Sequence, residues 1–226
     1  MDYYETHQSA DLPTFNTAKD FYVNLLGLKE FPSLPENLPR SVFLPYQVVG
    51  DFEEAILKTI DDNRERRQFI FWNGKESRKS PLYLGMEKDT GEQGLNKTLA
   101  RVFFGEKSLI EFHTHGKLGY PTPSPRDIAS DLSFPRMAFI HLVGSQHNVF
   151  AVFQTEKSAR LPFSIILKAL RTHIGLDVKN FSRLTLSKQA AMLNKYGLGL
   201  FYHEVKPWDG FTEGCFQNGL LLKRAF

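Results

Sequence analysis

Two kinds of hydrophobic spacing take turns along this chain, and their interleaving constrains the fold more than any other feature. Phe52, Ile56 and Ile60 recur at spacing four, with Ala55 beside them, the stripe of an amphipathic helix from about Asp51 to Asp62. Gln68 to Trp72 is instead a dense apolar and aromatic run closed by Asn73-Gly74, which reads as a buried strand and a turn. The alternation continues downstream. Pro81–Met86 and Leu109–His113 read as strands, Leu95–Phe104 as a helix, and Met137–Val143 with Val149–Gln154 as a strand pair. Pro125–Leu132 reads as a helix with Ser124 as N-cap and Pro125 in its first turn. Farther on, Pro162–His173 and Ser187–Tyr196 read as helices, the second ended by Gly197, and Leu198–Val205 and Leu220–Arg224 as strands. Near the start, Asn16 caps an expected helix through Leu26, and Pro32, Pro35, Pro39 and Pro45 mark an extended connector. Interspersed helices and strands imply a mixed α and β class, α+β, with a central sheet flanked by helices.

The 226 residues suit one large domain, or one ordinary domain with additions at both ends. A chain of that size buries a core without disulfides or a metal staple, so a metal here would be catalytic rather than structural. Cys215 is the only cysteine, which excludes an intramolecular disulfide and any multi-cysteine zinc site. The thiol has no evident histidine partner in the sequence and reads as inert. Met1 to Ala10 is polar and acidic, unlike the apolar centre of a signal peptide, and no apolar run approaches the ~20 residues of a membrane span. The expectation is a cytoplasmic protein without membrane contact. A net charge of +3 is too small to argue for nucleic acid, and Arg64, Arg66 and Arg67 read as a solvated rim.

Chemistry concentrates in Glu111-Phe112-His113-Thr114-His115 and in the following Pro121-Thr122-Pro123-Ser124-Pro125-Arg126-Asp127. Two histidines at i and i+2 on a strand project to one side and offer two imidazole nitrogens to one ion. Asp127 falls three residues after Ser124, at the start of the helix that Ser124 caps. Gly116, Gly119 and the prolines shape a loop that can return this helix start to the end of the strand. Two histidines and one carboxylate leave the fourth tetrahedral position to water, the arrangement of catalytic rather than structural zinc. Zinc lowers the pKa of such a water towards neutrality. A bare His-x-His is common by chance. The joint pattern of His-Thr-His, a Gly/Pro loop and Ser-x-x-Asp opening a helix is not.

In these residues the chain resembles the JAMM (MPN+) metallopeptidase family, whose hallmark is His-Ser/Thr-His-Pro, a short loop, then Ser-x-x-Asp, with a glutamate on an earlier strand. His113, Thr114, His115, Ser124 and Asp127 match, and the Pro-Thr-Pro-Ser stretch is also similar to the bacterial RadC branch. The resemblance covers roughly Asp51 to Gln154, less than half of the chain. It implies an MPN/cytidine-deaminase-like sheet, with residues 1–46 as an N-terminal helix and connector, 47–156 as the catalytic domain and 157–226 as a C-terminal α/β extension. It also implies Zn2+ held by His113, His115 and Asp127, with Ser124 stabilising a tetrahedral intermediate and a glutamate activating water. Gly116 stands where the family has proline, and the loop from His115 to Ser124 is one residue longer than the common spacing.

Glu65 fits the family's glutamate, lying after the Asp51 helix and before the Phe69-Ile70-Phe71-Trp72 strand. Arg66-Arg67-Gln68 follows it in place of the usual glycine and leucine motif. Glu111, on the strand face of the histidines, is the rival: the base, a partner for an imidazole, or a surface charge. Glu53 and Glu54 read as a solvated helix face, His141 as a core or edge histidine, and His147 as an exposed turn residue. The implied reaction is hydrolysis of a peptide or isopeptide bond in a protein substrate, with a ubiquitin-like conjugate or sulfur-carrier tail as the candidate. Two alternatives stand beside it: a non-catalytic MPN-like interaction module, and a RadC-like protein linked to DNA metabolism.

Overall fold

A computed structural model describes residue 38 and residues 40–72, 77–85, 107–116, 123, 140–155, 157–158, 184–205 and 211–225. Within them lie nine strands and two helices. In chain order these are β1 (Ser41–Leu44), α1 (Tyr46–Asp62), β2 (Arg66–Trp72), β3 (Ser77–Lys79), β4 (Tyr83–Leu84), β5 (Lys107–Thr114), β6 (Ile140–Gly144), β7 (Asn148–Gln154), α2 (Leu186–Asn194), β8 (Leu198–Glu204) and β9 (Leu220–Arg224). The class is the α+β expected from the sequence. The helices expected at 16–26, 95–104, 125–132 and 162–173 lie outside the described residues.

All nine strands join one sheet in the order β1-β9-β8-β7-β6-β5-β2-β3, with β4 also paired to β2. β5 and β6 run parallel, and every other pairing is antiparallel. The sheet draws on β1 from before residue 46 and on β8 and β9 from beyond residue 157, as well as on the strands between.

Alternation along the strands separates two apolar layers. Ile110, Phe112, Ile140, Leu142, Val149, Ala151 and Phe153 pack with Val48, Val49, Phe52 and Ile56 of α1. Val143, Phe150, Val152, Leu198 and Leu200 pack with Ala190 and Leu193 of α2 on the opposite face. The stripe of α1 extends farther back than spacing from Phe52 suggests. Val48 and Val49 continue it, Pro45 is the N-cap, and the helix begins at Tyr46. It ends at Asn63, whose left-handed backbone (φ 58°) lets its N–H donate to Thr59 O. Thr185 caps α2, its side chain accepting from Lys188 N. β3 reads Ser-Arg-Lys, so it carries no hydrophobic signal by which the sequence could show it.

Glu53 is the clear departure from the expected solvated face. It is buried, and its Oε1 accepts the backbone N–H of Phe216 at 3.2 Å. Glu54 faces outward and pairs with Lys58, one turn along the helix.

Gly144, at the end of β6, allows α1 to approach the sheet. A Cβ there would stand 2.5 Å from Ile56 Cδ1 and 2.7 Å from Phe52 Cζ. Both contacts are in the buried core. Gly144→Ala should therefore lower stability by about 1–3 kcal/mol through overpacking. Urea unfolding checks this, and an unchanged midpoint would contradict the close approach.

Candidate functional site

β5 lies near the middle of the sheet, between β2 and β6. Ile110, Phe112 and Thr114 face α1, which leaves Glu111, His113 and His115 on the opposite face by alternation. All three of these polar residues are buried. Pairing with β2 sets Arg67 across from His113 and Phe69 across from Glu111. Pairing with β6 sets His141 beside Glu111 and Val143 beside His113. His115 lies just past the strand, but its N–H donates to Gly144 O at 2.8 Å, which extends the β5–β6 ladder to it.

The two sequence-predicted histidine ligands come together. His113 Nε2 and His115 Nε2 stand 2.9 Å apart, with ring centroids 4.9 Å from each other. On the far side of the His113 ring, Nδ1 lies 2.7 Å from His141 Nε2. The His113 and His141 rings meet edge-on at 67°, with centroids 4.8 Å apart. A file of three buried imidazoles thus runs from β6 to the end of β5.

The spacing of the two Nε2 atoms is close to that of two ligands on one zinc ion. With Zn–N bonds of ~2.0–2.1 Å, two imidazole nitrogens on one tetrahedral ion stand roughly 3.3 Å apart. The observed pair needs to open by only a few tenths of an ångström. Among the described residues, no group of three or more His, Cys, Asp and Glu side chains is arranged to hold a metal ion. Ser124 and Asp127, the other sequence-predicted members of the site, lie outside the described residues.

Glu65 occupies the short connection between α1 and β2, partly buried. Its carbonyl accepts from Gly85 N at 2.8 Å. Pairs of β2 with β5 run from Ile70↔Ile110 to Arg67↔His113, and Glu65 precedes the first residue of β2. Glu111 is not the surface charge that was one of its expected readings. It is 2% exposed, and its Oε1 lies 3.1 Å from Arg67 Nε in a buried ion pair. Arg66 and Arg67 likewise do not form a solvated rim, and of the three arginines only Arg64 is exposed. Arg66 reaches back one turn to Asp62, donating through Nη1 to Oδ1 at 2.8 Å and through Nη2 to Oδ2 at 2.5 Å. The Arg66 hydrogen bonds hold the Asp62 carboxyl down to about 2.

Thr114, between the two histidines, points to the α1 face and ties three elements together. Arg66 N–H donates to Thr114 Oγ1 at 2.9 Å, and Thr114 Oγ1 meets Thr59 Oγ1 at 2.6 Å. Thr59 in turn donates to Ala55 O at 2.8 Å within α1. The chain is consistent if the Thr114 hydroxyl donates to Thr59. Gly116 also acquires a reason: a Cβ there would fall 2.7 Å from Asn63 Oδ1. A larger residue after His115 would therefore displace the Asn63 side chain at the C-cap of α1.

His141 is the member of the cluster that sequence reasoning missed. Its period-two position in an apolar strand shows which face it takes but not that β6 lies beside β5. Cys215 is exposed, with Thr212 N–H donating to Sγ at 3.4 Å. His203 is held below its ordinary value by burial, and Nδ1 lies 3.0 Å from Leu221 O.

No family model matches the chain, and no curated protein matches it.

Two predictions follow from the junction of α1, β2 and β5. Thr114→Val leaves the buried Arg66 N–H without its acceptor and should cost about 1–3 kcal/mol in urea unfolding, with Thr114→Ser close to wild type. Asp62 titrates below its ordinary 3.8 in the folded protein, so its pairing stabilises the fold above that pH and the gain is lost as pH falls towards about 2. Partial exposure keeps the effect small. Asp62→Asn should unfold at lower urea than wild type near neutral pH, and the difference should close as pH falls towards about 2. A difference independent of pH would refute the pairing.

Proposed function

We propose that this protein is a zinc-dependent hydrolase acting on peptide or isopeptide bonds. The observation that carries the reading is the convergence of His113 Nε2 and His115 Nε2 to 2.9 Å at the buried end of β5. Asp127 completes the set on the grounds of the sequence pattern. Bound to these residues, zinc supplies a Lewis acid for the scissile carbonyl and a water made acidic enough to attack near neutral pH.

The remaining roles belong to the chain. Glu65, just before the first residue of β2, takes the proton from the attacking water and returns it to the leaving amine. Ser124 donates a hydrogen bond to the developing oxyanion. Glu111 is held by Arg67 and keeps that cation compensated inside the protein rather than moving protons. The resemblance in the His-Thr-His and Ser-x-x-Asp residues favours a protein substrate such as a ubiquitin-like conjugate or a sulfur-carrier tail, and a cytoplasmic setting. No described helix is long and apolar enough to cross a membrane.

One observation favours the reading as a non-catalytic interaction module. His115, His113 and His141 are already within hydrogen-bonding distance of one another in file, so the cluster is partnered without an ion.

Metal analysis and turnover together separate the two. Purified protein should carry close to one zinc per chain, and His113→Ala or Asp127→Ala should lose most of it. Glu65→Gln should keep zinc and fold while hydrolysis of a ubiquitin-like conjugate falls by about 10²–10⁴-fold. Glu111→Gln should act mainly on stability, because it leaves Arg67 buried without its counter-ion. Zinc retained in full by both ligand variants would overturn the site. Zinc bound by a wild type that cleaves no peptide or isopeptide substrate would favour the interaction module.

A further inference from the structure

Imidazole presents a lone pair at only one nitrogen when neutral, so a histidine is ready to bind a metal through Nε2 only if its proton is on Nδ1. The partner of Nδ1 decides which tautomer is present. In this protein the partner of His113 Nδ1 is His141 Nε2, at 2.7 Å. His141 is held firmly in place. It is 2% exposed, and it sits on β6 two residues before Val143, the register partner of His113.

From this geometry we infer that His141 is a positioning residue that fixes the tautomer and ring orientation of His113 for metal binding. The inference rests on the reading of His113 and His115 as zinc ligands. His141 accepts the Nδ1–H of His113 at its own Nε2, and its own proton resides on Nδ1. His113 Nε2 then carries a lone pair, and in the metal-free protein it accepts the Nε2–H of His115 across the 2.9 Å gap, a proton that must pass to His115 Nδ1 for both Nε2 atoms to bind zinc. With the His141 acceptor removed, His113 can move its proton to Nε2 and donate to His115 instead. That tautomer closes the lone pair needed for zinc, and the ring loses the contact that sets its plane. Partners of this kind behind a ligating histidine typically contribute 10–100-fold to metal affinity.

The cluster differs in this respect from the Arg67–Glu111 pair on the same face. That pair joins β2 to β5, so its disruption would act on the fold. His141 touches the ligand itself.

The test uses the full-length chain and zinc in competition with a fluorescent chelator. His141→Leu should weaken zinc binding by about 10–100-fold. His141→Gln, whose side-chain oxygen can accept from His113 Nδ1, should recover most of the loss. A purely structural role would lower the unfolding midpoint of both variants but leave the zinc affinity of the folded protein unchanged, and that result would overturn the inference. Nitrogen-15 NMR of the zinc-free wild type supplies a readout that does not depend on how the variants fold. His113 should appear as the Nδ1–H tautomer, and the Nε2–H tautomer in wild type would also overturn it. A wild type that binds no zinc would overturn the metal-site reading and this inference with it. A wild type that binds zinc no more tightly than His141→Leu would remove the positioning role alone.

Discussion

Burial of a polar row on β5 is the constraint to which much of this structure answers. The strand is flanked on both sides, by β2 and β6, and its side chains from Ile110 to Thr114 are buried. A polar group in such a place is costly unless it is partnered. Glu111 meets Arg67 from β2, and His113 meets His141 from β6 and His115 from its own chain. The neighbours of β5 therefore have to supply polar groups at matching register positions. A slip of one residue in either pairing would turn every side chain to the other face and leave these groups against apolar surface.

The end of β5 carries a second set of interactions on its other face. Thr114 links Arg66 N and Thr59 Oγ1, so the last turn of α1, the first residue of β2 and the end of β5 share one hydrogen-bonded junction. Asn63 turns the chain out of α1 with a positive φ and sets its side chain against Gly116. The bidentate Arg66–Asp62 pair braces the same corner from outside. Glu65 is carried in the middle of it, between Arg64 and Arg66. The junction thus sets the backbone of the candidate base relative to that of the candidate ligands, which is what a general base needs before its pKa matters. Gly144 adds to this from below, because it admits α1 close to the sheet and accepts the N–H of His115.

The imidazole file can serve two purposes, and the chemistry of each is the same until an ion is present. Three buried histidines in hydrogen-bonding contact make a polar network. The Nε2 atoms of two of them, 2.9 Å apart, are also the pair proposed to hold zinc. Both readings share the contact of His141 with His113 at one end of the file. In that sense the support for function comes less from the His-x-His pattern than from the strand that stands behind it.

Much of the secondary structure could be read from local spacing. The stripe of Phe52, Ile56 and Ile60 marks α1, and the apolar runs of β2, β5, β7, β8 and β9 stand out without any tertiary information. The period of two along a strand also determined that His113 and His115 share a face. Local spacing does not say which strand lies beside which, because backbone hydrogen bonds carry no sequence label. Only the fold set β6 parallel to β5 and so brought His141 to His113, and only the fold buried Glu53 against Phe216, far along the chain. The same applies to Arg67, which belongs by sequence to a run of charges and by pairing to Glu111. The sequence thus determined the faces of the strands and the residues on them, while long-range strand order decided which of those residues meet.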